Sequence, residues 1–107
     1  MKHKVLIDPQ AKQDLKEIFI YAAVNDNLSS ANKLLDAIER SCYRLDECPE
    51  RGHIPPELKA TGIRKYLEIH YKLYRIIYEI ENELVYIHSI LDGRRNIQEI
   101  LSERLLR

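Results

Sequence analysis

The groups in this chain most capable of chemistry are arginines. Arg75 stands inside "YRIIYEI", among apolar and aromatic residues, while Arg94 and Arg95 follow an Asp92-Gly93 turn in "LDGRRNIQEI". An arginine embedded in an apolar strand either pairs with a carboxylate, with Glu68 and Glu79 as candidates, or lines a concave surface. Arg94 and Arg95 sit just before a helix start, where unpaired N–H groups and the helix dipole favour an anion. If Arg75 and Arg95 converge, they can grip a phosphate bidentately. His88 could serve as an acid–base group, though a lone histidine on a strand is more often simply half-exposed. The alternative is structural, with Arg75 in an ion pair and Arg94–Arg95 as a solvated turn.

Other chemistries find little support. The four histidines, His3, His53, His70 and His88, are scattered, with no i, i+4 pair and no cysteine at ligand spacing, so no metal site is expected. Three glycines and the absence of G-x-G-x-x-G, P-loop and G-x-S-x-G patterns speak against a nucleotide cofactor, and none is expected. The 17 basic and 17 acidic side chains cancel, so nucleic-acid binding would have to rest on a local cluster. Cys42 and Cys48 are roughly 9 Å apart by helical rise and on different faces, beyond easy disulfide reach. Both are expected reduced, in a cytoplasmic protein. The N-terminal "MKHKVLIDPQ" does not resemble a signal peptide, and no run approaches the length of a membrane span.

The positioning elements follow from periodicity. "KVLI" is a short strand-like run ended by Asp8-Pro9, a helix N-cap followed by the proline that suits a first helical position. Ala11, Leu15, Ile18, Phe19 and Ala22 recur at helical spacing, giving a helix to about Val24. "NDNLSS" breaks it. Ser29 is the expected cap of a second helix with the stripe Leu34, Leu35, Ile38, Cys42 and Leu45, ending near Cys48-Pro49. The pair is an αα-hairpin.

A proline- and glycine-bearing linker, "PERGHIPPELKATG", precedes three strand-like runs, "IRKYLEIH", "KLYRIIYEI" and "ELVYIHSIL". In the middle run both faces are partly apolar, which predicts a central strand covered on each side. In the last run Val85, Ile87 and Leu91 are expected on one face and Tyr86 and His88 on the other. A short final helix carries Ile97, Ile100, Leu101 and Leu105, with Asn96 and Glu99 forming a capping-box-like start. The expected class is α+β, one domain over 1–107 in the order β-α-α-β-β-β-α, a mostly antiparallel, curved sheet packed against a helical hairpin.

"DPQAKQDLKEIFIYAA", "PPELKATGI", "YRIIYEI" and "LDGRR...RLLR" in succession resemble the RelE/ParE superfamily of toxins from bacterial type II toxin–antitoxin systems, in particular its ParE-like plasmid-stabilisation branch. The resemblance covers essentially the whole chain. It implies a toxin neutralised by a cognate antitoxin encoded beside it, in an assembly that can reach a heterotetramer. ParE-like members poison DNA gyrase; RelE-like members cut mRNA on the ribosome without a metal. The strand arginine of the ribonucleases falls on Arg75 and the arginine after the glycine turn on Arg95. The position of their tyrosine in the last helix falls on or near Leu101, and the lysines of their second strand are replaced by "YLEI", with Leu67 and Glu68.

The resemblance therefore favours a gyrase-directed toxin. The alternatives are a ribosome-dependent endoribonuclease, with Arg75 and Arg95 as phosphate-stabilising residues and Glu68 and His88 as the acid–base candidates that cleavage at the 2′-OH would need, and a degenerate toxin that only binds its antitoxin. Target contact is expected from Arg94, Arg95, Arg104 and Arg107. Antitoxin contact is expected from Leu15 and Phe19 on the hairpin and from Ile97, Leu101 and Leu105 on the last helix.

Overall fold

A computed structural model describes residues 2–105. Strand β1 (Lys4–Ile7) leads into helices α1 (Pro9–Asn25) and α2 (Leu28–Tyr43), followed by one-turn helix α3 (Pro56–Lys59), strands β2 (Tyr66–Tyr71), β3 (Tyr74–Glu81) and β4 (Leu84–Asp92), and helix α4 (Ile97–Leu105). The sheet order is β1-β4-β3-β2, with β1 parallel to β4 and the other pairs antiparallel. This is the mixed architecture expected, with α3 as an addition inside the linker. No helix among the described residues is long and apolar enough to cross a membrane.

Local chemistry explains the element boundaries. Asp8 Oδ1 accepts the Ala11 N–H at 2.9 Å and Pro9 opens α1. The cap of α2 is Asn27 rather than Ser29: its Oδ1 accepts the Ser30 N–H at 2.8 Å. Asparagine accepts through a carbonyl and suits this extended backbone at least as well as serine. Helix α2 also stops earlier than the stripe suggested, at Tyr43, and a 3-10 turn at Arg44–Asp46 carries Leu45 into the core. Tight turns connect the hairpins, with Lys72 and Asn82 at positive φ.

The sheet separates two apolar cores. On one face α1 and α2 pack Ala11, Leu15, Ile38 and Cys42, with Leu45, against Ile76, Tyr78, Val85, Ile87 and Ile90. On the other, Leu58 of α3 and Ile97 and Leu101 of α4 pack against Tyr66, Ile77 and Leu91. Ile76, Ile77 and Tyr78 are consecutive and all buried, as a strand covered on both faces requires.

Strand β4 departs from simple alternation. Ile77 pairs with Ser89 but Tyr78 pairs with Ile87, so His88 is an extra residue in the ladder. Such a bulge reverses the alternation beyond it. Ile90, not Leu91, continues the face of Val85 and Ile87, and Leu91 joins the second core. The expected grouping of Leu91 with Val85 and Ile87 fails for this reason.

The linker is tied down by Tyr78, whose hydroxyl donates to Pro49 O at 2.6 Å and accepts the Gly52 N–H at 3.1 Å. A Cβ on Gly52 would collide with that hydroxyl and come within 2.7 Å of the Glu68 backbone oxygen. Only glycine fits there without displacing the strand.

Candidate functional site

Arg75 lies on the face of β3 that looks into the second core, and two carboxylates enclose its guanidinium. Nε and Nη2 donate to Glu68 at 2.6 and 2.9 Å, and Nη1 and Nη2 donate to Glu57 at 2.7 and 2.6 Å. Glu68 is cross-strand, opposite Ile77 on β2. Glu57 comes from α3, which is seated by the buried Leu58 and closed by Thr61, whose hydroxyl donates to Leu58 O at 2.6 Å. The hydrogen bonds to Glu57, and then Glu68, raise the Arg75 pKa, and Arg75 in turn lowers that of Glu57.

Of the two partners expected for Arg75, Glu68 is used. Glu79 pairs instead with Lys65 at 3.7 Å. Glu57 escaped the sequence reading because nothing local to the linker points at a strand 18 residues away.

The Asp92–Asn96 segment turns sharply beside this cluster. Arg94 folds back on Asp92, with Nη2 at 2.7 Å from Oδ2, and this pairing lowers the Asp92 pKa. Asn96 Oδ1 accepts the Glu99 N–H at 3.1 Å, capping α4 as expected. The second half of the capping box differs: Glu99 accepts from the Asn96 side-chain amide at 3.3 Å. Arg95 is exposed, and its side chain has no hydrogen bond or ion pair among the described residues. With Arg94, Tyr74, Ile90, Asp92, Ile18 and Tyr21 it borders a cleft of about 320 Å³ between α1 and the end of the sheet.

Arg104 is not a free cation. It makes a bidentate pair with Asp14 of α1, both bonds 2.9 Å, and also donates to the Ser89 hydroxyl at 2.9 Å. Asp14 is buried, and its Oδ2 also accepts the Ile90 N–H at 2.9 Å. That amide lies beyond the last residue paired with β1, so a side chain takes over from the ladder. Arg104, expected at target contact, fastens α4 to α1 in this structure. Arg107 lies outside the described residues.

His88, at the bulge, has Nδ1 2.7 Å from the Ser89 hydroxyl and its ring edge-on to Tyr66. Burial, the largest influence, lowers its pKa, so the ring is neutral near pH 7. It borders a hollow with Gln10, Glu103 and Arg104, apart from the residues that hold Arg75. The four residues singled out as a nuclease constellation, Arg75, Arg95, Glu68 and His88, are therefore divided among three places. Only Arg75 and Glu68 touch, and they neutralise each other.

The His88 pKa sets a pH dependence. The unfolded chain protonates this ring near the ordinary value of 6.5 and the folded chain only at lower pH. Stability from this residue is thus complete above pH 6.5 and declines as pH falls from 6.5 toward the folded value. Urea midpoints at pH 7.5 and 5.5 are expected to differ less in His88→Gln than in the wild type. Equal differences would contradict the assignment.

The residues expected to meet an antitoxin divide by burial. Leu15, Ile97 and Leu101 are core, Phe19 and Leu105 are half-buried, and the apolar stripe of α4 covers the sheet. Among the described residues the large apolar side chains left in water are elsewhere: Ile20, Tyr21 and Val24 on α1 and Leu28 at the start of α2, between 48% and 77% exposed, and, apart from them, Tyr43 and Leu73 at 49% and 42%. Both cysteines are free. Cys42 is buried, its thiol pushed up to about 12, and Cys48 is exposed.

The chain is similar to known proteins along most of its length. Residues 5–97 match the family model described as ParE toxin of type II toxin-antitoxin system, parDE. Toxin ParE3 of Caulobacter vibrioides is 30% identical over 91 residues, covering 85% of this chain and 87% of that protein. Among solved structures, the chromosomal ParDE toxin–antitoxin system from P. aeruginosa superposes with a TM-score of 0.70 at 14% identity, over 83% of this chain and 94% of that one. A mutant of E. coli toxin RelE in the free state gives 0.67 at 15% identity, over 100% and 98% of the two chains. The RelBE2 complex from Mycobacterium tuberculosis gives 0.61 at 18%, over 84% and 96%. At these identities the superpositions establish the fold, and the sequence matches establish the kinship: the chain belongs to the ParE toxin family of type II toxin–antitoxin systems.

Proposed function

We propose that this toxin acts by binding a protein target, DNA gyrase, rather than by cutting RNA, and that a cognate antitoxin holds it inactive. The observation that carries the reading is the state of Arg75. A nuclease would need that guanidinium to meet the charge developing on a phosphorane. Here Glu57 and Glu68 already occupy it, and turning it toward a phosphate would leave two carboxylates beside a further anion. Leu101, on or near the position of the ribonuclease tyrosine, is a core residue. Arg95, at the rim of the α1 cleft, is the exposed cation best placed to meet a target, with Arg94 beside it.

Purified toxin is expected to inhibit supercoiling by gyrase. The double variant Arg94→Ala/Arg95→Ala should lose at least about tenfold in potency while keeping its antitoxin affinity. Cleaved mRNA in ribosome-programmed extracts, with gyrase unaffected, would replace this reading with the ribonuclease one. Absence of growth arrest by the wild-type chain would leave only the degenerate toxin.

The antitoxin is proposed to cover the exposed Ile20, Tyr21, Val24 and Leu28 side chains. Tyr21→Glu/Val24→Glu is expected to weaken the complex at least about tenfold with the toxin's own stability unchanged, since both side chains are solvated in the free chain. Unchanged affinity in a binding titration would move the interface elsewhere.

A further inference from the structure

We propose that His53, Glu68 and His70 form a binding site for a divalent transition-metal ion of the Zn2+ type. The Nε2 atoms of both rings lie 3.2 Å from Glu68 oxygens, His53 from Oε2 and His70 from Oε1, and the donor atoms are all within 4.8 Å of one another. Ligand atoms about 2.0–2.2 Å from a tetrahedral ion stand roughly 3.3–3.5 Å apart. The nitrogen–oxygen spacings are already close to that.

The backbone holds the three donors in place without the ion. His53 and Glu68 are directly opposite in an isolated antiparallel bridge, with N···O distances of 3.1 and 2.7 Å. His70 is two residues along β2 from Glu68, on the same face. The rings meet edge-on, with centroids 5.5 Å apart. Arg75 supplies the outer support, taking one lone pair on each Glu68 oxygen and leaving the others directed at the imidazoles.

Charge and access also suit a cation. Glu57, Glu68 and Arg75 sum to one net negative charge when both imidazoles are neutral. Glu68 is a buried floor at 1% exposure, whereas the His53 and His70 side chains are 58% and 52% exposed. An ion can therefore enter from solvent and keep water in an open position. Two imidazoles and one carboxylate select zinc-like ions over magnesium or calcium. The competing occupants are the rings' own Nε2 protons, as in the hydrogen bond between His70 and Glu68. On binding, each ring moves that proton to Nδ1, so neutral imidazoles take up the ion without net proton release.

The sequence gives half the signal, since Glu68 and His70 alternate on one strand face. His53 joins them only through the bridge. The site shares Glu68 with the Arg75 cluster but no residue with the Arg94–Arg95 turn or the exposed α1 surface.

The test is a Zn2+ titration of the tag-free chain in competition with a chromophoric chelator, with Co2+ absorption reporting the coordination. One ion per chain is expected. His53→Ala and His70→Ala should each weaken it at least about tenfold while leaving the far-UV circular dichroism unchanged. Excess Zn2+ should raise the thermal midpoint of the wild type by more than that of either variant. The proposal is overturned if no saturable binding occurs below about 1 mM. It is equally overturned if binding survives both substitutions, which would place the ion on another histidine or on Cys48.

Discussion

Arg75→Ala is expected to cost about 3–5 kcal/mol of folding stability, the range for removing one partner of a buried ion pair. Arg75 and Glu68 have side-chain exposures of 13% and 1%, and Glu57 is also largely covered. Among the described residues, Glu68 without the guanidinium keeps only its hydrogen bond with His70 and the neighbouring His53 ring, and Glu57 loses every side-chain partner it has. A domain of this size has about 5–15 kcal/mol in all, so the variant should be near the edge of folding at physiological temperature. Urea denaturation measures the effect. The triple change Arg75→Met/Glu68→Leu/Glu57→Gln is expected to recover most of the loss, because it removes the charges together. A stably folded Arg75→Ala protein that had lost only its toxicity would show that the arginine serves a phosphate after all.

Asp14→Ala should be comparably severe, at about 3–5 kcal/mol. One carboxylate satisfies both the Arg104 guanidinium and the Ile90 amide, so its removal strands a buried donor on the sheet and unfastens α4. Asp14→Asn keeps an acceptor for Ile90 but weakens the bond to Arg104, and about 1–3 kcal/mol is expected. Amide exchange gives a site-specific check: Ile90 should lose its protection in the alanine variant and retain it in the asparagine one. Uniform loss across the sheet in both would mean that the contact contributes only globally.

The two largest effects thus fall on ion pairs whose legibility in the sequence differs. The helices were readable because their apolar stripes and the Asp8-Pro9 start are local signals, and β3 because both of its faces carry apolar residues. Asp14 was also within reach: it interrupts the stripe of Ala11, Leu15 and Ile18 at a position that must be buried. Arg104 lies in the corresponding stripe of α4, three residues after Leu101. Glu57 and His53 were not readable, since they meet β3 and β2 only through a linker whose path is set by Tyr78 and Gly52. The reversal of β4 at His88 was equally hidden, because one extra residue in a ladder leaves no compositional mark.

The parallel pairing of β1 with β4 has a consequence for the order of folding. Lys4 is registered with Leu84 and Ile7 with Ile87, and the Asp14–Arg104 pair spans 90 residues. The hairpin of α1 and α2 and the meander of β2, β3 and β4 can each form from neighbouring sequence, but these links close very long loops and are entropically the last to repay their cost. On a chain emerging from the ribosome, β1 has no strand to pair with until residue 87 is available, and Asp14 has no cation until residue 104. The structure that displays Arg95 beside the α1 cleft is therefore completed only after almost all of these residues have been made.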